Sequence, residues 1–320
     1  MSPTFSSLYV RNYRVYASGS VVSNIGTWLQ NTAQAWLVLQ LTGSGALLGI
    51  VVALQLLPSL LFSPIAGVVA DKLPKRPLLA WMQVGMAVPA GILGLLAVTG
   101  FVEVWHVLTL SFLFGIARAF EAPARQSFVS EMVDTDRLSN AVALNSASFN
   151  TGRLIGPALA GLMIAALGSG VAATGWVIII NALSYGFVVY SLWIMDPEDL
   201  NPSPRGNLGN RAVRDGLRYV RSRPDLILLL TTVFFLGAFG MNFQITSALM
   251  ATEVFGKGAG EFGLLGSILA VGSLAGALLA ARRKSARLRY IVGAGLFFTV
   301  MQIVSGLMPT YETYAAILPL

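Results

Sequence analysis

Nine apolar runs, most of them about twenty residues or longer, leave this chain little choice of solvent, because that is the length an α-helix needs to cross a bilayer. Hydropathy places the runs at Val15–Gln40, Ala46–Ala70, Pro77–Thr99, Glu103–Ala122, Ser139–Leu167, Ala172–Met195, Leu226–Met250, Glu261–Ala281 and Leu288–Met308, followed by an apolar stub, Tyr314–Leu320. Backbone amides in lipid must be satisfied within the segment, so the runs are expected to be helices. Charge supports the same class: 11% of the residues are charged, against about 25% in a soluble domain. The expectation is an all-α, multi-pass membrane protein.

The turns between the runs alternate in charge. On one side lie Arg11 and Arg14, then Lys72, Lys75 and Arg76, then Arg118, Arg125 and Arg137, the arginines from Arg205 to Arg223, and the cluster from Arg282 to Arg289. On the other side Lys257 stands alone against Glu103, Glu253, Glu261 and Glu312. Basic loops stay in the cytoplasm, which puts the N-terminus there and accounts for the net charge of +7 without nucleic acid. The N-terminal residues have no basic region ahead of a short apolar core, so the first run reads as a retained helix, not a leader. With no cysteine and one histidine, His106, thiolate or multi-histidine metal centres are excluded. No cofactor is expected, and no nucleotide-binding or hydrolase motif is present.

Three units are expected: 1–195 as a six-helix bundle, 196–225 as a cytoplasmic linker, and 226–320 as an incomplete second bundle. The linker opens on DPEDLNPSPRGN, too rich in Pro, Asn and Asp for a helix, and continues as NRAVRDGLRYVRSR. That continuation has Val213, Leu217 and Val220 on one face and arginines around the rest, a pattern suited to an anionic membrane surface. Gly67 to Asp71 repeats faintly as Gly276 to Ala280, each followed by a basic turn.

The most telling turn is GVVADKLPKR, Gly67 to Arg76. Asp71 falls at a helix C-terminus, where the helix dipole disfavours a carboxylate, and Lys72, Lys75 and Arg76 offset it. Gly67, Asp71, Lys72, Lys75 and Arg76 match the signature between the second and third helices of the major facilitator superfamily, which this stretch resembles; Pro74 replaces the usual glycine. A second resemblance lies in Gly152, Gly156, Pro157 and Gly161, similar to a helix-five pattern of drug/proton antiporters, with Ala160 in place of one closing glycine. Small residues at this spacing also simply let helices pack closely. PARQSFVSEMV, RLSNAVALNSASFNTGRLIGPALAG and WLQNTAQAWLVLQLTGS resemble the enterobactin-exporter and macrolide-efflux branch.

The resemblance implies a major facilitator fold of two six-helix bundles, here truncated after about nine helices plus a stub, as a piece of a twelve-helix protein. It implies a monomer in a bacterial plasma (inner) membrane, embedded in the lipid bilayer and binding no nucleic acid. It implies a secondary transporter, not an enzyme, that exports a small amphipathic molecule of drug or siderophore class by alternating access, coupled to a proton or other ion. An importer of a small metabolite on the same fold is the alternative reading.

Candidate residues follow from polarity within the runs. Arg153 falls near mid-membrane and shares a stripe with Ser146, Asn150 and Pro157; intramembrane charge faces a cavity or a partner. Asn24, Trp28, Asn31 and Gln34 with Thr27 form an inward face on the first run. Phe235, Phe239, Asn242 and Thr246 form a mixed stripe on the seventh. The expected substrate cavity is therefore Asn24, Trp28, Asn31, Gln34, Asn150, Arg153, Phe239 and Asn242. The expected cytoplasmic gate is Gly67, Asp71, Lys72, Lys75, Arg76, Arg118 and Glu121, the last two closing the fourth run beside Arg125. On these boundaries no carboxylate falls in the middle of a span, which leaves ion coupling without a carrier.

Overall fold

The computed structural model describes residues 3–201, 218–235, 237, 242–281 and 288–319. A 3-10 turn, Pro3–Tyr9, leads into α1 (Arg11–Thr42), α2 (Gly45–Lys72), α3 (Lys75–Thr99), α4 (Val104–Met132), α5 (Thr135–Ala166) and α6 (Val171–Trp193). After the linker come α7 (Pro224–Phe235), α8 (Phe243–Leu249) with a π-turn at Met250–Val254, α9 (Ala259–Ala281), α10 (Leu288–Gly306) and α11 (Tyr311–Ile317). Each long helix reverses the direction of the one before. α1 and α3 end on left-handed glycines, Gly43 (φ 60°) and Gly100 (φ 79°), a conformation that costs glycine nothing.

The distribution of residues is inverted relative to a water-soluble protein. Leu60, Trp81, Leu183 and Trp193 are at least two-thirds exposed, whereas Asn12, Gln30, Gln34, Gln83 and Asn181 are buried. That arrangement is stable only where the surrounding solvent is apolar. Among the described residues, α2, α3, α4, α6 and Ala259–Gly276 of α9 are long and apolar enough to cross a membrane. α1 and α5, at 32 residues each, are longer still but less apolar because of their amides and hydroxyls, which on α1 include the buried Asn24, Gln30 and Gln34. Exposed aromatics mark both ends, with Trp81, Tyr190 and Trp193 toward one and Phe101, Trp105 and Trp176 toward the other, as in interfacial belts.

α1 to α6 form one cluster with two apolar layers. Leu37, Leu48, Leu93, Val107 and Ile178 pack toward the end where α1 stops, and Tyr13, Tyr16, Leu79, Phe128 and Leu192 toward the end where it starts, hereafter the basic end. Between them runs a polar ladder joining α1, α4 and α6. Gln34 Nε2 donates to Ser111 Oγ (2.6 Å), Gln30 Nε2 to Gln34 Oε1 (3.4 Å), and Asn181 Nδ2 to Gln30 Oε1 (2.5 Å) and Tyr185 Oη (3.1 Å). Unpaired amides here would cost several kcal/mol each, so the ladder fixes the register of the three helices.

The charged hairpin after α2 is a clamp on its neighbours. Lys75 Nζ lies 2.6 Å from Glu131 Oε1, both nearly inaccessible. Arg76 donates to the final carbonyls of α6, Leu192 (2.6 Å) and Trp193 (2.9 Å), where a cation also suits the helix dipole. Removing one partner of a buried pair leaves an uncompensated charge, at a cost of about 3–5 kcal/mol, whereas removing both is near neutral. Lys75→Met is therefore expected to lower the melting temperature in detergent sharply, with most of the loss recovered in Lys75→Met/Glu131→Leu.

Several sequence expectations are corrected here. α4 does not stop at Ala122: it runs through Pro123 to Met132, because Ala124, Phe128, Val129 and Met132 continue a buried stripe. Arg118, Glu121 and Arg125 therefore lie inside a helix and not in a cytoplasmic turn. The seventh run contains α7, Pro224–Phe235, and α8, Phe243–Leu249, with Asn242 at the N-cap position of α8 (φ −93°, ψ 24°). Residues 236 and 238–241, between these two helices, lie outside the described residues. Most of the amphipathic linker segment lies outside the described residues, as does the turn at 282–287.

Candidate functional site

Helix α5 touches the rest of the molecule through the glycines of its sequence motif. A Cβ at Gly152 would come 2.7 Å from the Asn24 carbonyl oxygen, and one at Gly156 would come 2.5 Å from Trp28 Cβ. α1 and α5 thus meet backbone to backbone. One turn further, Gly161 faces Ala259 and Gly260 of α9, and Gly263 of α9 faces the Pro157 carbonyl. The Ala158 amide donates to Ser267 Oγ at 3.1 Å. These contacts all lie in the half of α5 away from the basic end. Toward the basic end, Val142, Ala143, Ser146 and Ala147 of α5 and Leu274, Leu278 and Leu279 of α9 are exposed.

Between the two clusters is a cavity of ≈ 330 Å³ lined by Trp28, Asn31 and Thr32 of α1, Phe149, Arg153 and Pro157 of α5, Phe243, Gln244 and Ser247 of α8, and Phe262, Gly266 and Leu269 of α9. Its wall is aromatic: Trp28 and Phe149 meet edge to face with centroids 5.6 Å apart. The Arg153 guanidinium lies 5.8 Å from the Trp28 ring centroid. Among the described residues Arg153 has neither a hydrogen-bond acceptor nor a carboxylate, and the buried Nε1 of Trp28 has no acceptor either. Gln244 Nε2 donates to the Asn31 carbonyl (2.8 Å), tying α8 to α1 at the cavity edge.

A second, smaller cavity of ≈ 60 Å³ lies within the first cluster, toward the basic end. Tyr16, Asn24, Gln83, Arg118, Glu121, Arg125, Phe149 and Tyr185 border it. Glu121 Oε1 is 3.2 Å from Arg125 Nε, close enough for an ion pair but not aligned as a hydrogen bond. Arg125 Nη1 donates to Asn24 Oδ1 (3.4 Å), and Asn24 Nδ2 donates to Ser148 Oγ of α5 (2.8 Å).

The expected substrate residues are accordingly divided. Trp28, Asn31 and Arg153 line the larger cavity; Asn24 borders the smaller one; Gln34 belongs to the buried ladder. Asn150 borders neither, and its side chain donates to the Ser146 carbonyl (2.9 Å). Asn242 stands at the N-cap position of α8, and Phe243, Gln244 and Ser247 of that helix line the larger cavity. Phe239 lies outside the described residues. The expected gate separates as well. Lys75 and Arg76 act at the basic rim, and Lys72 is exposed. Gly67 and Asp71 are half-buried there, and Asp71 makes no side-chain ion pair with a described residue. Arg118 and Glu121 belong to the inner cluster: Glu121 precedes Glu131 by ten residues, or ~15 Å of helix. Glu131, Gln83 and Tyr185 were not singled out from the sequence. An acid or amide on the apolar stripe of a membrane helix is the signal that marks each of the first two.

The fold matches those of solved transporters. One is a bacterial homologue of the human lysosomal transporter Spinster in an inward-facing, occupied conformation (TM-score 0.67, 18% identity, 100% of this chain and 72% of that one). Another is a D-xylose–proton symporter (TM-score 0.62, 13% identity, 98% and 78%). Two helix clusters around a central cavity give this chain the fold of the major facilitator superfamily. Within it, the chain belongs to the transmembrane secretion effector family, whose model it matches over residues 2–320.

Curated relatives include the Staphyloferrin A transporter of Staphylococcus aureus, 31% identical over 153 residues, covering 48% of this chain and 38% of the relative. The multidrug efflux pump Tap of Mycolicibacterium fortuitum is 27% identical over 297 residues, covering 88% and 71%. Macrolide efflux protein A of Streptococcus pyogenes is 23% identical over 159 residues, covering 50% and 39%. The chain thus spans well under half the length of the first of these relatives.

Proposed function

We propose that this chain is the greater part of a proton-coupled secondary exporter of small amphipathic molecules that carry an anionic or acceptor-rich group. The carrying observation is the larger cavity, where two donors without acceptors, the Arg153 guanidinium and Trp28 Nε1, share an aromatic chamber. The buried Trp28 Nε1, left unpaired, costs free energy that a bound acceptor restores; the half-buried Arg153 offers such an acceptor a charged donor, and the aromatic wall supplies apolar burial for the rest of the ligand. The relatives named for efflux support the direction of transport. The basic end is assigned to the cytoplasm from its lysines and arginines, so the chamber opens inward in this conformation, as an exporter loading substrate requires.

The test uses the full-length coding sequence in cells, with fluorescein as the anionic probe and ethidium as the cationic one. Lower fluorescein accumulation in expressing cells, abolished by a protonophore, is the expected outcome, with a smaller effect on ethidium. Energised uptake of fluorescein would overturn the reading in favour of an importer.

A further inference from the structure

The proposed coupling needs a group that can take up and release a proton within the protein, and one carboxylate is placed to do so. Every other acid among the described residues lies in a turn or within three residues of a helix terminus. Glu121 alone is deep within a helix, ~25 Å from the start of α4 and ~16 Å from its end at 1.5 Å per residue. It is only 6% exposed, and it borders the cavity of ≈ 60 Å³, room for about two waters at ~30 Å³ each. Burial of an ionised carboxylate at such a site demands a counter-charge, and Arg125 supplies it.

We propose that Glu121 is the proton-carrying group of transport, an inference that rests on the proton-coupled exporter reading above. The charged and titratable groups facing it are Arg125 and Arg118 on α4 itself, Tyr16 from α1 and Tyr185 from α6; α3 contributes the neutral Gln83 and α5 the apolar Phe149. In the ionised state Glu121 pairs with Arg125. When a proton arrives through the cavity the carboxyl becomes neutral and that attraction is lost. Arg125 keeps its other bond, to Asn24 Oδ1 on α1. The same Asn24 is bonded to Ser148 of α5, so protonation changes the balance of forces on two of the four helices that wall the larger chamber. Phe149 borders both cavities and packs against Trp28, which carries Arg153 over its ring. A single side chain therefore separates the proton site from the substrate site.

The experiment reconstitutes the full-length protein in liposomes and reads two activities: fluorescein accumulation driven by a pH gradient, and gradient-free exchange of fluorescein across the membrane. Glu121→Gln is expected to lose the gradient-driven accumulation and keep the exchange. Glu121→Gln/Arg125→Met, which leaves no unpaired buried cation, is expected to show the same separation even if the single variant folds poorly. Gradient-driven accumulation in either variant at the wild-type level overturns the assignment alone. Wild-type protein that exchanges fluorescein but ignores the gradient overturns proton coupling itself, and the assignment with it. Loss of exchange together with drive in the double variant also overturns it, since Glu121 would then be holding the fold.

Discussion

Arg153→Ala is expected to reduce export by about 10- to 100-fold while lowering stability only modestly. The magnitude follows from the ~1.5–3 kcal/mol that a hydrogen bond to a charged group contributes, at ~1.4 kcal/mol per tenfold change. The modest loss of stability follows from the geometry: Arg153 holds no acceptor and no acid among the described residues, so its removal orphans nothing, and only its contact with the Trp28 ring is lost. That contact contributes about 0.5–2 kcal/mol. Arg153→Lys keeps the charge but not the planar fork that both stacks and donates in parallel, so it should fall between wild type and alanine. Transport and melting temperature measured on the same preparations separate the two roles. A structural arginine would lower the melting temperature and leave the substrate affinity of the surviving protein intact.

The helices were largely legible before any coordinates, because the bilayer demands one thing of every span, a long run of apolar residues. α2, α3, α6 and α9 obey that demand without exception and end within a few residues of their expected bounds. α4 did not, and the reason is specific. Its last ten residues carry Pro123, Arg125, Gln126 and Glu131 among the apolar ones, which reads as a turn. They are helical because the charges pair with each other and with Lys75 while Phe128, Val129 and Met132 take the core face. A window that averages hydropathy cannot register which charge meets which partner.

The site was legible in its elements and not in its grouping. The polar stripe expected on the first run serves three structures in succession. Asn24 binds Arg125, Asn31 borders the substrate chamber, and Gln34 enters the ladder with Ser111. Helical spacing shows that residues share a face; it does not show whether a neighbouring helix or an open space lies opposite. Similarly, a 3.6-residue period along the seventh run did not single out Phe243, Gln244 and Ser247, which line the chamber, because it cannot register the change of backbone at Asn242 (φ −93°, ψ 24°).

The second large effect concerns the glycine-lined seam between α5 and α9. Gly161 and Gly263 allow the two clusters to meet backbone to backbone on the side away from the basic end, and Ala158 and Ser267 are in hydrogen-bond contact there. On the exporter reading proposed above, that seam is the closed mouth of the chamber and has to part in every cycle of alternating access. The sequence contains no cysteine, which makes a cross-link between Ala158→Cys and Ser267→Cys free of background. With the full-length protein in vesicles, a short bifunctional thiol reagent of cleavable type should join the two helices and stop fluorescein export, and cleavage of the linker should restore it. Export that continues at the uncross-linked rate with the seam fully joined would contradict the account.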